Sequence, residues 1–570
     1  MINSNLLTCK DTAKKRKKRK YSRKKTSSYI LSQNQSPFPS NYWHFHHSHA
    51  HISEFNAHIS NSNANISKFH EEFHQKLHFI HQFSLSLQSE KRHSAIGEGT
   101  LPPYPMERFN QSIQKSLEDL NNCLILLVME QNNVKPAEGK LGIMVVGCGA
   151  VATTFMTGVF MARKGLAKPV GSMTQYDKIR VGKGADKKYL HYKDIVPIAD
   201  LNDIVFGTWD VYPQNAYQAA MYAEVLKEKD INPVREELEK VVPMKAAFDK
   251  NYAKRLDGDN VKDCKTRWEM VEALRQDIRD FKEKNGCARI VVIWAASTEI
   301  YVPVDMEIHG TLAALEAAMK ADDRQHIAPS MCYAYAALTE GAPFIMGAPN
   351  TTVDIPAMWE LAEKTKMPIA GKDFKTGQTL VKSGFAPIIG TRCLGLNGWF
   401  STNILGNRDG LVLDEPANFH TKEVSKLSTL ETILKPEDQP DLYGHGNAED
   451  TQYYHKVRIN YYPPRNDNKE GWDNIDIFGW MGYPMQIKIN FLCRDSILAA
   501  PLLLDLTLLS DLAARAGRYG TQRFLSFFLK APMHDYTKGE EAVNNLYQQY
   551  TMLKNAIREM GGYEADEEID

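Results

Sequence analysis

Three features are scarce in this chain of 570 residues: closely spaced cysteines, long apolar runs and net charge. The eight cysteines are spread along the sequence and form no C-x-x-C pair. A structural zinc site needs clustered ligands, so we expect no metal. Scattered thiols with apolar neighbours are typical of a reduced protein, and we expect a cytoplasmic one without disulfides.

No apolar run is long enough to suggest a membrane span. The run CLILLVM at 123–129 has seven residues, whereas a spanning helix needs roughly 20. The run APLLLDLTLLSDLAARAG is interrupted by Asp505 and Asp511, which predicts a buried helix. No apolar run follows the basic N-terminus, so we expect neither a secretory signal nor a membrane partner.

The formal net charge is zero, but it is unevenly distributed. Residues 1–25 contain eleven Lys/Arg and one acid, which leaves the rest of the chain acidic by ten charges. An acidic body gives no bulk attraction to nucleic acid, and we expect no such partner.

Residues 1–128 differ in composition from everything that follows. A basic block, KKRKKRKYSRKK, precedes a stretch rich in Ser, Asn and His, and eleven of the 18 histidines lie before residue 94. Few aliphatic side chains are present to be buried, so we expect a disordered, low-complexity extension. It is either a dispensable tail, with Met129 as the ordinary start, or a nuclear signal or polyanion contact.

From residue 140 onward, apolar strand-like runs alternate with amphipathic helical runs. This alternation up to about residue 350 predicts an α/β fold with a doubly wound parallel sheet. Shorter aromatic, Gly- and Asn-rich runs then indicate an inserted α+β domain, followed by helices that return to the first domain. We expect a nucleotide-binding domain at 129–370, a catalytic and oligomerisation domain at 371–490, and C-terminal helices at 491–570.

The stretch IMVVGCGAVATTF predicts a nucleotide-binding turn between a strand and a helix. Gly147, Gly149 and Ala152 give a G-x-G-x-x-A pattern of the Rossmann type. The first glycine permits a tight turn, the second lets the backbone approach a pyrophosphate, and the helix N-terminus attracts the phosphates. Cys148 fills a lenient position, and we expect a small residue that faces the phosphates, with a redox thiol as the alternative.

An acid that could bind the ribose hydroxyls does not follow at the simplest spacing. Asp177 is the nearer carboxylate, and Asp210 ends a better strand. Either could take this role, and we favour Asp210.

A second chemical stretch, GKDFKTGQTLVKSG, combines a glycine turn with two lysines. Lys375 and Lys382 are seven residues apart and share a face if the segment is helical, with Asp373 beside them. Two ammonium groups on one face favour a bound phosphate or a developing oxyanion, although a solvated lysine face would look the same.

Further charged residues lie in three later segments. Asp409 lies in the polar turn NILGNRDG, and Lys422 and Lys426 precede an expected capping box formed by Ser428 and Glu431. Lys488 lies in the alternating run MQIKINF, where a lysine usually points to solvent from a half-buried strand.

Taken together, these stretches resemble the myo-inositol-1-phosphate synthase family, also called inositol-3-phosphate synthases. The matching motifs occur in order from about 140 to 530: GCGAVATTFMTGV, GSMTQYD, WDVYPQNAY, WAASTE, APNTT, KDFKTGQTLVKS, NILGNRDG and INFLCRDSILAAPLLLDL. The resemblance implies a homotetrameric, NAD-dependent enzyme of inositol and phospholipid biosynthesis that acts on glucose 6-phosphate. In the reaction that the resemblance implies, NAD oxidises substrate C5. A proton then leaves C6, C6 attacks the C1 aldehyde, and the NADH formed earlier reduces the C5 ketone, which regenerates NAD.

The resemblance also implies which residues form the site. Catalytic roles fall to Lys375, Lys382, Lys422, Lys488, Asp373 and Asp409, with Lys375 expected at the C5 oxygen. Cofactor contacts fall to Gly147, Cys148, Gly149, Ala150, Val151, Asp210, Ser297, Thr298, Asn350 and Thr351.

Two other functions remain open on the sequence. An NAD-linked dehydrogenase of a phosphorylated sugar or semialdehyde would accumulate NADH. A polyanion-binding protein would act through residues 14–25 and lose salt-sensitive binding when residues 1–128 are removed.

Overall fold

The computed structural model describes residues 134–444 and 453–567, all within one unit of the chain. The expectations for residues 1–128 lie outside the described part. Helices and strands alternate from residue 140 onward, as the sequence predicts.

Thirteen strands are present in the described residues. In chain order they are β1 (Lys140–Val146), β2 (Lys178–Val181), β3 (Lys188–His191), β4 (Ile204–Asp210), β5 (Met244–Lys245), β6 (Cys287–Trp294), β7 (Phe344–Met346), β8 (Pro368–Gly371), β9 (Gly395–Leu405), β10 (Tyr454–Tyr461), β11 (Asn468–Phe478), β12 (Pro484–Arg494) and β13 (Gly520–Thr521).

The α-helices of the described residues are numbered in the same way. They are α1 (Ala150–Arg163), α2 (Met173–Tyr176), α3 (Tyr192–Ile195), α4 (Ala216–Ala223), α5 (Glu228–Ile231), α6 (Arg235–Glu239), α7 (Arg267–Asn285), α8 (Met306–His309), α9 (Leu312–Lys320), α10 (Pro329–Thr339), α11 (Pro356–Thr365), α12 (Gly377–Thr391), α13 (Arg408–Leu413), α14 (Pro416–Leu434), α15 (Pro440–Tyr443), α16 (Asp495–Arg515) and α17 (Leu546–Met560).

A seven-stranded parallel sheet forms the centre of the fold, in the order β13-β8-β7-β6-β1-β4-β5. Alternate residues of β1 enter two different cores. Leu141, Ile143 and Val145 pack with α1 and α16, whereas Met144 and Val146 pack with α7 and α10. Because helices cover both faces, the doubly wound α/β fold is confirmed.

The chain leaves β1 toward β4 on one side and places β6 on the other. The carboxyl ends of these three strands therefore meet at a topological switch point, where open α/β sheets bind their ligands.

A second, four-stranded sheet has the order β10-β9-β11-β12 and lies between residues 395 and 494. Strands β10 and β9 are parallel, and the other two pairings are antiparallel. Trp399 and Ile475 form its small core with residues of α12 and α14. The sheet overlaps the stretch expected to form an inserted domain, 371–490, and β12 continues four residues beyond it; the domain boundaries stay predictions.

Helix α16 is long and apolar enough to cross a bilayer by composition, the one such helix among the described residues. Two-thirds of its most apolar window is buried within the protein, however. Asp505 accepts hydrogen bonds from the Ser172 hydroxyl and the Met173 N–H, each at 2.6 Å. Asp511 is paired with Arg289 at 2.6 Å and Arg515 at 2.9 Å. It is a core helix, as the two aspartates predict.

Two local expectations are wrong. Ser428 and Glu431 do not cap a helix start, because α14 already begins at Pro416 and both lie inside it. Lys375 and Lys382 do not share a helical face, because α12 begins at Gly377 and Lys375 precedes it. In each case the helix begins at a different residue from the one that the polar pattern predicts.

Candidate active site

The glycine-rich turn joins β1 to α1 as the sequence predicts. Gly147 has φ +96°, and a Cβ there would lie 2.7 Å from the Cα of Ala296. At Gly149 a Cβ would meet nothing within 4 Å. No side chain caps α1, and its first turn holds no acid. The free N–H groups of this helix therefore remain available to an anion.

Asp210, at the end of β4, holds this turn from one side. Its carboxylate accepts the backbone N–H of Cys148 at 2.5 Å and that of Tyr212 at 2.9 Å. Burial raises the pKa of Asp210, and these hydrogen bonds partly oppose the shift. A cavity lies at the carboxyl ends of β1, β4 and β6. Asp210 lines it together with Gly147, Gly149, Ala150 and Val151.

Cys148 does not face the cavity, contrary to the expectation of a side chain toward the phosphates. It is buried in the core beside Ala152 and Phe155. Burial, followed by the charge of Asp210, raises the pKa of the Cys148 thiol far above its usual value. The protonated form therefore prevails, and only the backbone N–H takes part in the turn.

The loop after β6 forms the opposite wall. Ser297, Thr298 and Glu299 line the cavity, whereas Asn350 and Thr351 lie behind them. The Asn350 amide accepts from the Glu299 N–H at 3.0 Å and donates to its carboxylate at 3.1 Å. Thr351 donates to the carbonyl of Val302 at 2.8 Å. These two residues support the loop and do not line the cavity.

The segment after β8 brings the lysines to this cavity. Residues 371–376 run antiparallel to residues 528–533, with the Lys530 N–H donating to the Asp373 carbonyl at 2.7 Å and the Lys375 N–H donating to Phe528 at 2.8 Å. Asp373 has φ +66°. This pairing places Asp373 beside Lys530, although the two residues are 157 positions apart in sequence.

Asp373 is the centre of a buried ion-pair cluster. Its Oδ1 accepts from Lys422 Nζ at 2.8 Å and from Lys530 Nζ at 3.1 Å. Burial by itself favours the neutral acid, but the two lysines hold the pKa of Asp373 below its usual value. The carboxylate therefore stays charged. Asp373, Lys422, Lys530 and Asp409 all line the cavity.

A second ion pair lies next to the first. Asp495 Oδ2 is 3.2 Å from Lys469 Nζ, and Asp495 also lines the cavity. Against the effect of burial, Lys469 and Lys530 hold the pKa of Asp495 well below its usual value. The side chain of Lys469, a residue of β11, reaches the N-terminus of α12. Its Nζ is 3.8 Å from the point where Gly377 would carry a Cβ.

The four lysines of this cluster differ in their protonation. Burial alone would lower the pKa of Lys422 and of Lys469. The carboxylates of Asp373 and Asp409 outweigh burial at Lys422, and that of Asp495 outweighs it at Lys469, so the pKa of each lysine is raised. Burial lowers the pKa of Lys530 to about 8. Lys426 Nζ finds no hydrogen-bond partner among the described residues, and burial with the neighbouring ammonium groups lowers its pKa well below the usual value.

Three lysines expected in the site do not line the cavity. Lys375 Nζ donates to Gln549 and, at 3.4 Å, to the Ser526 carbonyl. Lys382 Nζ lies 2.8 Å from His455 Nε2, behind the cluster. Lys488 is exposed on β12 and borders a separate depression with Phe400 and Trp472. Asp373, Asp409 and Lys422 are the expected catalytic residues that the fold brings together.

The sequence reasoning missed Lys469, Asp495 and Lys530 and gave Lys426 no role. Lys530 stands in the apolar run FFLKAP, and Asp495 stands at the start of the long apolar helix α16. A charge inside an apolar run must be paired when it is buried, and that pattern could have identified both.

Comparisons with known proteins agree on one family. The family model described as myo-inositol-1-phosphate synthase matches residues 141–558. An inositol-3-phosphate synthase 1 from Bacteroides thetaiotaomicron is 63% identical over 433 residues, which cover 76% of this chain and 98% of that protein. Its counterpart from Oryza sativa subsp. japonica is 34% identical over 444 residues, 74% of this chain and 85% of that protein.

A solved structure agrees as well. The crystal structure of inositol-3-phosphate synthase from Caenorhabditis elegans matches with a TM-score of 0.69 and 29% sequence identity. The match covers 76% of this chain and 88% of that one.

Proposed function

The chain belongs to the myo-inositol-1-phosphate synthase family, and from that premise we propose how its own residues convert glucose 6-phosphate to inositol phosphate. It is an NAD-dependent inositol-3-phosphate synthase. One observation carries the assignment of residues: Asp373, Lys422 and Lys530 of the buried cluster line the same cavity as the glycine-rich turn.

The turn has the chemistry to hold NAD. Gly149 leaves open space where a side chain would stand, and the uncapped N-terminus of α1 favours the pyrophosphate. Asp210 lies where the ribose hydroxyls would be bound, at the end of β4. Bound NAD supplies a hydride acceptor, and its reduced form returns the hydride.

Lys469 and the N-terminus of α12 bind the substrate phosphate. With Lys426 neutral, the ammonium groups of Lys422, Lys469 and Lys530 outnumber by one the two carboxylates with which they pair, those of Asp373 and Asp495. An anion inside the cluster relieves the repulsion between these amines. Unpaired N–H groups at the start of α12 add a positive dipole end.

Lys422 and Lys530 serve the reacting oxygens. Both line the cavity, and both are oriented by the same carboxylate oxygen of Asp373. An ammonium in a buried site stabilises negative charge that develops on the C5 oxygen or the aldehyde oxygen during enolisation and aldol closure. Lys530 exchanges its proton near neutral pH, because its pKa is about 8.

Lys426 accepts the C6 proton. C6 carries the phosphate ester, so the group that takes its proton must lie beside the phosphate site. Burial, together with the charges of Lys469 and Lys530, lowers the pKa of Lys426 well below its usual value, which favours the neutral amine. A neutral amine with no hydrogen-bond partner among the described residues has its lone pair available for general-base catalysis.

The test is conversion by the full chain with NAD present far below the substrate concentration. The expected result is inositol phosphate in excess over NAD, with no accumulation of NADH. Stoichiometric NADH would instead indicate a simple dehydrogenase, which the comparisons do not favour. The polyanion-binding alternative rests on residues outside the described part.

We also propose a homotetramer in the cytoplasm. The turn after β11 and strand β12 expose large apolar side chains, among them Trp480 at 87%, Met481 at 77% and Tyr483 at 68%. A second copy of the chain would cover this surface, which is too apolar to remain in water without cost. Light scattering of wild type and of Trp480→Ser should give a tetramer and a smaller species, respectively.

A further inference from the structure

We propose that His455 is a positioning residue that holds the Lys382 ammonium group in place behind Lys426. Neither His455 nor its pairing with Lys382 is part of the reaction as described above. The inference rests on the proposed role of Lys426 as the proton acceptor.

The pair is buried between α12 and the four-stranded sheet. Lys382, on α12, is 2% exposed, and its Nζ lies 2.8 Å from His455 Nε2 on β10. The Trp399 ring on β9 lies 6.0 Å from the same Nζ. Asp473, on β11, is a nearby carboxylate, and it is held by the indole N–H of Trp399 at 2.8 Å.

The chemistry of the contact fixes the histidine tautomer. A lysine ammonium can only donate, so His455 Nε2 must accept and the ring must be neutral. Its proton therefore lies on Nδ1, and the ring interacts with the backbone of Leu427 on α14. Burial and the charge of Lys382 lower the pKa of His455 to about 2, which keeps the ring neutral.

His455 thereby joins two elements that carry amines. It anchors Lys382 of α12 on one side and contacts α14 at Leu427, the residue after Lys426, on the other. The charges that face Lys426 come from four directions: Lys422 on its own helix, Lys469 on β11, Lys530 on the 528–533 segment and Lys382 on α12.

The consequence for Lys426 follows from its neighbours. Burial lowers the pKa of Lys382 to about 8, so its ammonium form is still populated at neutral pH while His455 accepts from it. Removal of the acceptor would leave a buried ammonium without a hydrogen bond, and Lys382 would lose its proton. Lys426 would then lose one positive neighbour, and its own pKa would rise.

The test compares pH profiles of kcat/KM for three variants in the full-length enzyme. In His455→Phe the acidic limb should move upward by about one pH unit, so that activity at a pH on that limb falls about tenfold. Lys382→Met should give the same shift, and the double variant should shift no further. His455→Gln, which keeps an acceptor oxygen, should restore the wild-type profile.

His420→Phe is the matched control, because His420 is exposed on α14 and the substitution is the same. Its profile should coincide with that of wild type. A lower rate in His455→Phe with an unmoved limb would reduce His455 to a packing residue and overturn the proposal, as would a pH profile identical to that of wild type.

A second measurement separates this proposal from the proposed function. Acetylation of individual lysines by acetic anhydride, followed by peptide mass spectrometry across the pH range, reports the pKa of Lys426 without turnover. A rise in His455→Phe supports the pair even if glucose 6-phosphate is left unconverted, which would contradict the proposed function alone. A profile unchanged from wild type would overturn the pair alone.

Discussion

The nucleotide turn and the lysine cluster share one cavity but are built in opposite ways. The turn uses backbone from a single stretch of sequence, between Gly147 and Val151, and one carboxylate from the neighbouring strand. The cluster uses side chains from five separate segments, two of which, residues 371–376 and 528–533, pair with each other through their backbones. Local sequence therefore specifies the first, whereas tertiary pairing specifies the second.

The comparison is tested most severely by exchanging one lysine of the cluster for methionine. Lys530→Met should lower kcat by about 100- to 1,000-fold, because a buried ammonium that stabilises developing charge is lost. The affinity for NAD should change little, since the turn lies outside the substitution. Steady-state kinetics and a fluorescence titration with NAD measure the two effects.

Lys488→Met is the matching substitution at a lysine that the resemblance implied and the fold places elsewhere. We expect its kcat to stay within about twofold of wild type, as for an exposed surface position. Equal losses in the two variants would mean that Lys488 does act in an active site, namely that of another copy of the chain.

The turn is broken by a methyl group. Gly147→Ala adds a Cβ 2.7 Å from the Ala296 Cα at a backbone φ of +96°, so the loop must shift. We expect NAD affinity to fall by roughly 10- to 100-fold, which corresponds to about 1–3 kcal/mol of strain. A fluorescence titration measures it, and Gly158→Ala, within α1 where a Cβ meets nothing within 4 Å, serves as the control.

The same contrast explains what the sequence could predict. The doubly wound sheet, the turn, Asp210 and the buried helix α16 follow from periodicity and glycine position, and the structure has each of them. The apolar run around Lys530 marks it as a buried, paired charge, but local pattern cannot name its partners and gives no sign of Lys469, because the contacts of both lysines join segments that are distant in sequence. The resemblance implies a catalytic role for Lys375, yet its side chain points toward Gln549.

The protonation of Lys530 gives the alkaline side of the pH profile. Its pKa is lowered to about 8 by burial, so the ammonium form is complete below that pH and is lost above it. If Lys530 acts as an ammonium, kcat/KM should fall about tenfold per pH unit above 8. Lys530→Arg, which stays charged, should retain less activity but show no decline there. A wild-type profile that is flat through pH 9 would contradict this role.

The smallest expected effect concerns Cys148. Its thiol is packed in the core and kept protonated, while its backbone N–H bonds to Asp210. Cys148→Ser retains that backbone bond, and the new hydroxyl can bond to Thr208, which already contacts the thiol. We expect kcat and NAD affinity within about twofold of wild type and a stability loss of about 1 kcal/mol.

Asp210→Asn is the counterpart, because it changes the partner of that backbone N–H and leaves the thiol in place. It removes the negative charge that faces the turn and weakens a charge-assisted hydrogen bond, so NAD affinity should fall more than in Cys148→Ser. If Cys148→Ser instead abolishes turnover while NAD still binds, the thiol takes part in the chemistry. The turn would then act through a side chain as well as through its backbone, and the distinction from the lysine cluster would no longer hold.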